Sequence, residues 1–146
     1  MSLIHPSSVI SKEAIIADDV KIGPFCIVIG RVRLGRGSVL DSHVSLGSPH
    51  GVVEIGERNH FCAGAVVGGP PQDLSYKDQE TRLIIGNDNT FREMVTVNCG
   101  SPKQGWGTTR IGSHCLIMAY SHVAHDCTIG DHVVIANTTQ LAGHVT

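Results

Sequence analysis

A six-residue repeat runs through most of this 146-residue chain and constrains its fold more than any single motif. Each hexad opens with an aliphatic residue or Phe, its second residue is often Gly, and its fifth is usually small or β-branched. A helical period of 3.6 residues does not produce this pattern, whereas hexad repeats are typical of a parallel β-helix. The hexads begin at Ile4, Ile10, Ile16, Ile22, Val28, Leu34, Leu40, Leu46, Ile55, Phe61, Val67, Ile85, Phe91, Val97, Ile111, Ile117, Val123, Ile129, Ile135 and Leu141.

The repeat predicts an all-β fold in which three hexads make one triangular coil. Residues at hexad starts should point inward and stack on their equivalents 18 positions further along an uninterrupted stretch. Gly at the second position is expected where the chain turns in a conformation that other residues resist.

Three stretches interrupt the repeat and are expected to loop out from the corners of the helix. They cover about residues 48–54, 68–84 and 98–110, and the last contains the only Trp, Trp106. Loops on a rigid scaffold often carry binding residues. We therefore expect residues 1–146 to form a single β-helix domain with looped-out inserts.

Composition excludes several classes of function. The net charge is −2 and no basic run suggests a nucleic-acid partner. We expect no membrane insertion and a cytoplasmic location, since the sequence has neither a signal peptide nor a long apolar segment. The five cysteines form no C-x-x-C pair and three occupy fifth positions of hexads, which indicates reduced core residues.

The last hexad is complete and is followed by no cap. Solenoids need a cap at each end, because a bare coil exposes strand edges and core. This favours a fragment of a longer protein or an end covered by partners, with a short natural protein as the alternative.

Stacking predicts a cluster of reactive groups near the end of the chain. Because the repeat is unbroken from Ile111, His125 should lie beside Gly143, and Asp126 beside His144, with His122 close by. A neutral imidazole can remove a proton from a hydroxyl, a carboxylate can orient it, and a Gly N–H can hold an oxyanion. The cluster is thus suited to acyl transfer, although outward-facing histidines are also common as solvated surface.

A metal site is the other chemistry to consider. His114 and His132 are also 18 positions apart, but two histidines make an incomplete zinc site unless a trimer supplies a third ligand. We expect no metal and no cofactor.

Several sequence strings resemble one family, the acyl-carrier-protein:UDP-N-acetylglucosamine O-acyltransferases, which begin lipid A synthesis in Gram-negative bacteria. The resemblance covers the whole chain, and the pair SHVAHDC and LAGHV is its most specific part. The matching strings are IHPSSVI at the start, IGPFCIV at 22–28, PQDL at 71–74, IGNDNTFRE at 85–93, SHVAHDCTIG at 121–130 and LAGHV at 141–145.

The resemblance implies a left-handed β-helix and a homotrimer with active sites between subunits. It implies that His125 is the general base for the sugar 3-hydroxyl, that Asp126 orients it, and that Gly143 supplies the oxyanion N–H. The implied substrates are acyl carrier protein, as the acyl donor, and UDP-N-acetylglucosamine or its 3-amino analogue. The residues implied to contact the nucleotide sugar are His122, His144, Gln72 and Asp73.

Two departures from the family bear on this interpretation. The family usually has Lys directly after Asp-Leu, where this chain has Ser75, so Lys77 becomes a candidate substrate contact. The family also continues into further coils and a C-terminal helical domain that this sequence does not contain. A non-catalytic β-helical trimer and a sister N-acyltransferase therefore remain as alternatives.

Overall fold

Residues 3–102 and 107–146 are described by a computed structural model, and within these ranges the chain forms a parallel β-helix without α-helices. The strands are β1 (Leu3–Ile4), β2 (Val9–Ile10), β3 (Ile15–Ile16), β4 (Lys21–Ile22), β5 (Ile27–Leu34), β6 (Val39–Leu40), β7 (Ser45–Ile55), β8 (His60–Phe61), β9 (Val66–Gly69), β10 (Thr81–Ile85), β11 (Thr90–Phe91), β12 (Thr96–Asn98), β13 (Thr108–Ile111), β14 (Leu116–Ile117), β15 (His122–Val123), β16 (Thr128–Ile129), β17 (Val134–Ile135) and β18 (Gln140–Leu141).

The strands build the three faces of a prism, and every pair is parallel. One face is a separate sheet in the order β1-β4-β6-β8-β11-β14-β17. The second runs β2-β5-β7-β9-β12-β15-β18 and the third β3-β5-β7-β10-β13-β16. The long strands β5 and β7 run across the corner between these two faces and join them into one sheet.

Inward-pointing hexad starts form the core, as predicted. Every hexad start from Ile22 to Ile135 is at most 8% exposed. In the middle of the stack, Phe61 lies on Phe91 with ring centroids 4.8 Å apart and rings nearly parallel. The core is therefore a continuous apolar column, closed by parallel strand pairing on three sides.

The expected role of Gly was wrong at most second positions, and Gly47 and Gly68 are the exceptions with a positive φ (87° and 93°). The turn is made at the fourth position, which takes a positive φ in non-Gly residues such as Phe25 (59°) and Asp126 (62°). The missing side chain instead allows neighbouring coils to approach closely at Gly23, Gly35, Gly56, Gly86 and Gly112. A Cβ on Gly23 would lie 2.7 Å from the carbonyl oxygen of Asp41.

The first insert does not loop out of the helix. Residues 48–54 lie within β7, which is paired with β5 on one side and with β10 on the other. The insert adds only three residues to a hexad, and these are absorbed as an irregularity opposite Gly30, whose φ of 71° permits the bend. Its effect is on register, because Leu34 pairs with Ile55, 21 positions further on.

The other two inserts leave the helix over shorter stretches than predicted. The second is irregular from 70 to 80, because β9 extends to Gly69 and β10 begins at Thr81. In the third, β12 ends at Asn98 and β13 begins at Thr108, while Trp106 lies outside the described residues.

Fifth-position cysteines have a structural role. All five cysteines are buried free thiols. Three of them donate a weak hydrogen bond to the carbonyl oxygen of a second-position residue in the next coil, which holds the coils together without a disulfide. These contacts are Cys26 to Asp41 (3.0 Å), Cys115 to Gly130 (3.1 Å) and Cys127 to Ala142 (3.1 Å).

Within the described part of the chain, no helix is long and apolar enough to cross a membrane.

Candidate active site

The centre of the site is a hydrogen-bonded pair at the turn after β15. His125 Nδ1 lies 2.9 Å from Asp126 Oδ2, and the two side chains are 16% and 0% exposed. An ionised carboxylate can only accept, so the proton of a neutral imidazole lies on Nδ1. His125 Nε2 therefore keeps its lone pair for an incoming hydroxyl.

Asp126 is held in place by two residues of the third insert and the strand that follows it. Its carboxylate accepts from the Ser101 N–H at 3.1 and 3.0 Å and from the Ser101 hydroxyl at 2.6 Å. Its own N–H donates to Thr109 Oγ1 at 2.9 Å. A buried carboxylate needs such donors, and together they fix its orientation toward His125.

The next coil covers this pair as the stacking argument predicted. A Cβ on Gly143 would lie 2.7 Å from His125 Nε2, so only Gly fits against the imidazole without moving it. The His144 N–H donates to the His125 carbonyl at 3.1 Å, and His144 Nε2 lies 3.7 Å from Asp126 Oδ2. The rings of His125 and His144 meet edge to face at 5.2 Å.

His122 is the third imidazole near this pair. A hydrogen bond of 2.7 Å joins its Nδ1 to the hydroxyl of Thr96 in the coil below. Burial, and then the nearby His125, lower the pKa of His122 below its ordinary value. His122 is therefore uncharged at neutral pH and can exchange hydrogen bonds without adding a positive charge beside the base.

The residues of the second insert that were predicted to bind substrate do not join the His125 cluster through any described contact. Gln72 and Lys77 are exposed, and no described contact joins either one to His125. Ser75 has a local role, since both its N–H and its hydroxyl donate to Asp73 Oδ1 at 2.8 Å. The binding roles of Gln72, Asp73 and Lys77 stay predictions.

Sequence reasoning missed three side chains that support the site: Thr96, Ser101 and Thr109. They lie 26, 25 and 17 positions from their partners His122 and Asp126. The uniform spacing of 18 does not bring Thr96 and Ser101 to the site, because the third insert changes the register. Once that insert's length is known, pairing of Val97 with Val123 places Thr96 beside His122.

Two groups of histidines bear on metal binding. The rings of His114 and His132 stack at 4.9 Å, as their spacing predicted, but the described residues place no set of three ligands around them. The ligand atoms of His125, Asp126 and His144 do lie within 4.8 Å of one another. Asp126 is fully buried, and its carboxylate accepts from the N–H and the hydroxyl of Ser101 as well as from His125, which favours an acid–base role over metal ligation.

Comparison with known proteins finds acyltransferases among the relatives of this chain. The family model "Bacterial transferase hexapeptide (six repeats)" matches residues 108–143. The chain is 46% identical over 140 residues to an acyl-[acyl-carrier-protein]–UDP-N-acetylglucosamine O-acyltransferase of Syntrophobacter fumaroxidans, covering 96% of this chain and 53% of that protein. It is also 46% identical over 145 residues to the enzyme of the same name from Thermodesulfovibrio yellowstonii, covering 99% of this chain and 55% of that protein. The chain is a homologue of these acyltransferases.

A solved structure extends the homology to the fold. LpxA from Acinetobacter baumannii superposes with a TM-score of 0.91 at 45% identity, over 97% of this chain and 54% of that one. This chain is thus a left-handed parallel β-helix of hexapeptide repeats, as predicted. The chain spans about half the length of the curated relatives it matches.

Proposed function

We propose that this chain carries the general base of an acyltransferase that moves a 3-hydroxyacyl group from acyl carrier protein to the 3-hydroxyl of UDP-N-acetylglucosamine, the first step of lipid A synthesis. The observation that carries the proposal is the buried His125–Asp126 pair with Gly143 packed on the imidazole. The names of relatives that are 46% identical to this chain over the aligned residues support the choice of substrates.

The proposed reaction uses only groups of the two last coils. His125 Nε2 removes the proton of the sugar hydroxyl as its oxygen attacks the thioester carbonyl, and Asp126 stabilises the imidazolium that forms. The N–H of Gly143, which makes no hydrogen bond within the described residues, holds the tetrahedral oxyanion. The intermediate then expels the carrier's thiolate, which takes the proton back from His125.

The remaining residues are assigned to substrate binding. His144 and His122 flank the base and would hold the sugar, while Gln72, Asp73 and Lys77 lie in the 70–80 loop. In this proposal the loop approaches the base of a neighbouring subunit in a homotrimer, so that Gln72, Asp73 and Lys77 reach the substrate from across the subunit interface. The location is the cytoplasm, and neither membrane insertion nor nucleic-acid binding is part of the function.

The first prediction tests the base. In the intact protein, His125→Ala should lower the rate of transfer from 3-hydroxyacyl carrier protein to UDP-N-acetylglucosamine by about 10²–10⁴-fold, because general-base assistance is lost. His114→Ala is the matched control. That exposed imidazole also contacts a second histidine, but it lies at the turn between β13 and β14, at a different corner of the β-helix from His125. The rate of His114→Ala should be close to that of the parent.

Turnover by His125→Ala within about threefold of the parent would reject the proposed base, given the size of the effect expected. Calorimetry with UDP-N-acetylglucosamine separates the alternatives. Sugar-nucleotide binding without turnover in the parent protein would leave a binding module, and faster transfer to the 3-amino analogue would identify an N-acyltransferase.

A further inference from the structure

A second cluster of reactive side chains lies on a different face of the β-helix from the His125 cluster, the face formed by β6, β8 and β11. Asp41 follows β6 and Cys62 follows β8, both at the second position of a hexad, where many other coils have Gly. Pairing of Leu40 with Phe61 places Asp41 directly below Cys62. His60 points outward from the same strand, beside them both.

The three side chains converge on one point. His60 Nε2 lies 3.0 Å from Asp41 Oδ1. One ligand atom from each of Asp41, His60 and Cys62 lies within 4.8 Å of the other two. Their backbones are fixed by the parallel ladder, because Asp41 donates its N–H to Phe61 at 2.9 Å. The cluster opens into a groove of about 340 Å³ that is also lined by Thr90 and Arg92.

The ligand types match one class of metal ion. Thiolate, imidazole and carboxylate are the three protein ligands of Zn²⁺, which binds them at about 2.0–2.3 Å in a tetrahedron. A thiolate disfavours Mg²⁺ and Ca²⁺, which select oxygen ligands. One thiolate and one carboxylate carry two negative charges, and a neutral imidazole carries none. Together these ligands would balance the charge of a divalent ion.

A nearby cation is Arg92, whose guanidinium faces the groove and lies against the Cys62 thiol. Its Nε and Nη2 both donate to the Glu93 carboxylate, at 2.7 and 3.2 Å, so the Arg92–Glu93 pair adds no net charge beside the cluster. The half-exposed side chains of His60 and Asp41 leave a path by which the ion and a water molecule, as fourth ligand, could enter.

We propose that Asp41, His60 and Cys62 form a site for Zn²⁺ or a similar divalent transition metal. The bound ion would cross-link two adjacent coils, away from the His125–Asp126 pair.

Cys62 differs from the other cysteines in its surroundings. The thiols of Cys26, Cys115 and Cys127 point to backbone carbonyls, and that of Cys99 is buried beside the Gly68 carbonyl at 3.4 Å. Within the ranges that the structure describes, Cys62 is the cysteine grouped with both a histidine and a carboxylate. Sequence spacing of 18 could not show this, because Asp41 meets Cys62 only in the register of 21 set by the first insert.

Cobalt provides the test, since a Co²⁺–thiolate bond has its own near-ultraviolet charge-transfer band. The reduced, metal-free chain should bind Co²⁺ with that band at one thiolate-containing site per chain, and Zn²⁺ should displace it. Cys62→Ser should abolish the band, and His60→Ala and Asp41→Asn should each weaken Co²⁺ binding by at least about tenfold, because each removes a direct ligand. Cys115→Ser, which places the hydroxyl found at the equivalent Ser121, is the matched control and should bind like the parent.

The Co²⁺–thiolate band also separates this site from the His125 cluster, whose three ligand atoms include no sulfur. Absence of the band in the parent, or its persistence in Cys62→Ser, would overturn the proposal. So would unchanged affinity in both His60→Ala and Asp41→Asn. Circular dichroism of each variant checks the fold, and the conservative Asp41→Asn change on a half-exposed residue keeps the test decisive if Cys62→Ser does not fold.

Discussion

At the scale of single residues, the proposed site uses a backbone conformation that side chains usually avoid. Asp126 and His144 have φ values of 62° and 65°, and each occupies the fourth position of its hexad. Tyr120 and Thr138 adopt the same conformation at equivalent positions, outside the His125–Asp126 pair. The scaffold therefore imposes this turn throughout, and the site uses it to place a carboxylate and an imidazole in register on adjacent coils.

Gly143 provides a residue-scale prediction, since a methyl group there would meet the imidazole of His125. Gly143→Ala should displace that ring from Asp126 and lower kcat by up to about 10²-fold, as a shift of about 1 Å can do. Thermal stability should change little, because the residue lies on the surface of the coil. Transfer kinetics and a melting curve of the same preparation measure the two effects.

The control for that change is Gly130→Ala, where a Cβ has no atom within 4 Å. Its kcat should equal that of the parent. If Gly143→Ala also keeps the parental kcat, the contact between Gly143 and His125 does not matter for catalysis.

At the scale of elements, the sequence was most informative where the repeat is unbroken. From Ile111 onward the pairs are 18 positions apart, such as Ile111 with Ile129 and Val123 with Leu141, and the position of the His125 cluster follows from that spacing. Upstream, Phe61 pairs with Phe91, and Phe91 with Ile117, at separations of 30 and 26. Insert lengths set these registers, but spacing alone does not say whether an insert bulges within a strand or leaves the coil.

The support of Asp126 by Ser101 shows the same limit. The carboxylate itself was predictable because it lies in the regular part of the repeat. Its donor lies in the third insert, whose path depends on how the chain returns to β13. No periodicity constrains such a segment, so its contacts follow only from the folded geometry.

Close approach of coils gives the prediction at this scale. A Cβ on Gly86 would lie 2.6 Å from the carbonyl oxygen of Gly112 and would also meet the hydroxyl of Ser113. The backbone of the next coil at Gly112 would have to move to make room. Gly86→Ala should therefore lower the free energy of unfolding by about 1–3 kcal/mol. Urea unfolding followed by circular dichroism measures this.

Gly130→Ala serves again for comparison, since it changes the same kind of hexad position without a steric contact. It should be neutral or stabilising by a few tenths of a kcal/mol through the unfolded state. Equal stability of Gly86→Ala and Gly130→Ala would show that the second-position glycines are not required for coil contact.

At the scale of the whole molecule, a solenoid is stabilised mainly by contacts between neighbouring coils. The His125 cluster and the Asp41–His60–Cys62 cluster lie two to three coils apart and share no described contact. Substitutions in one should therefore have additive effects with substitutions in the other. This separation allows the proposed metal site and the proposed acyl transfer to be tested independently.

Cys99 is buried in the middle of the stack of coils, next to the second insert, so its thiol becomes exposed only when the chain unfolds. Burial raises the pKa of its thiol from 9.0 to about 12. Between these values the unfolded chain releases the thiol proton and the native chain keeps it, so stability is full below pH 9 and falls as pH rises toward 12. Cys99→Ala should reduce the loss of unfolding free energy between pH 9 and pH 11 by on the order of 2 kcal/mol. Urea unfolding of both proteins at several pH values measures the two slopes, and parallel slopes would mean that Cys99 ionises equally in the native and unfolded chains.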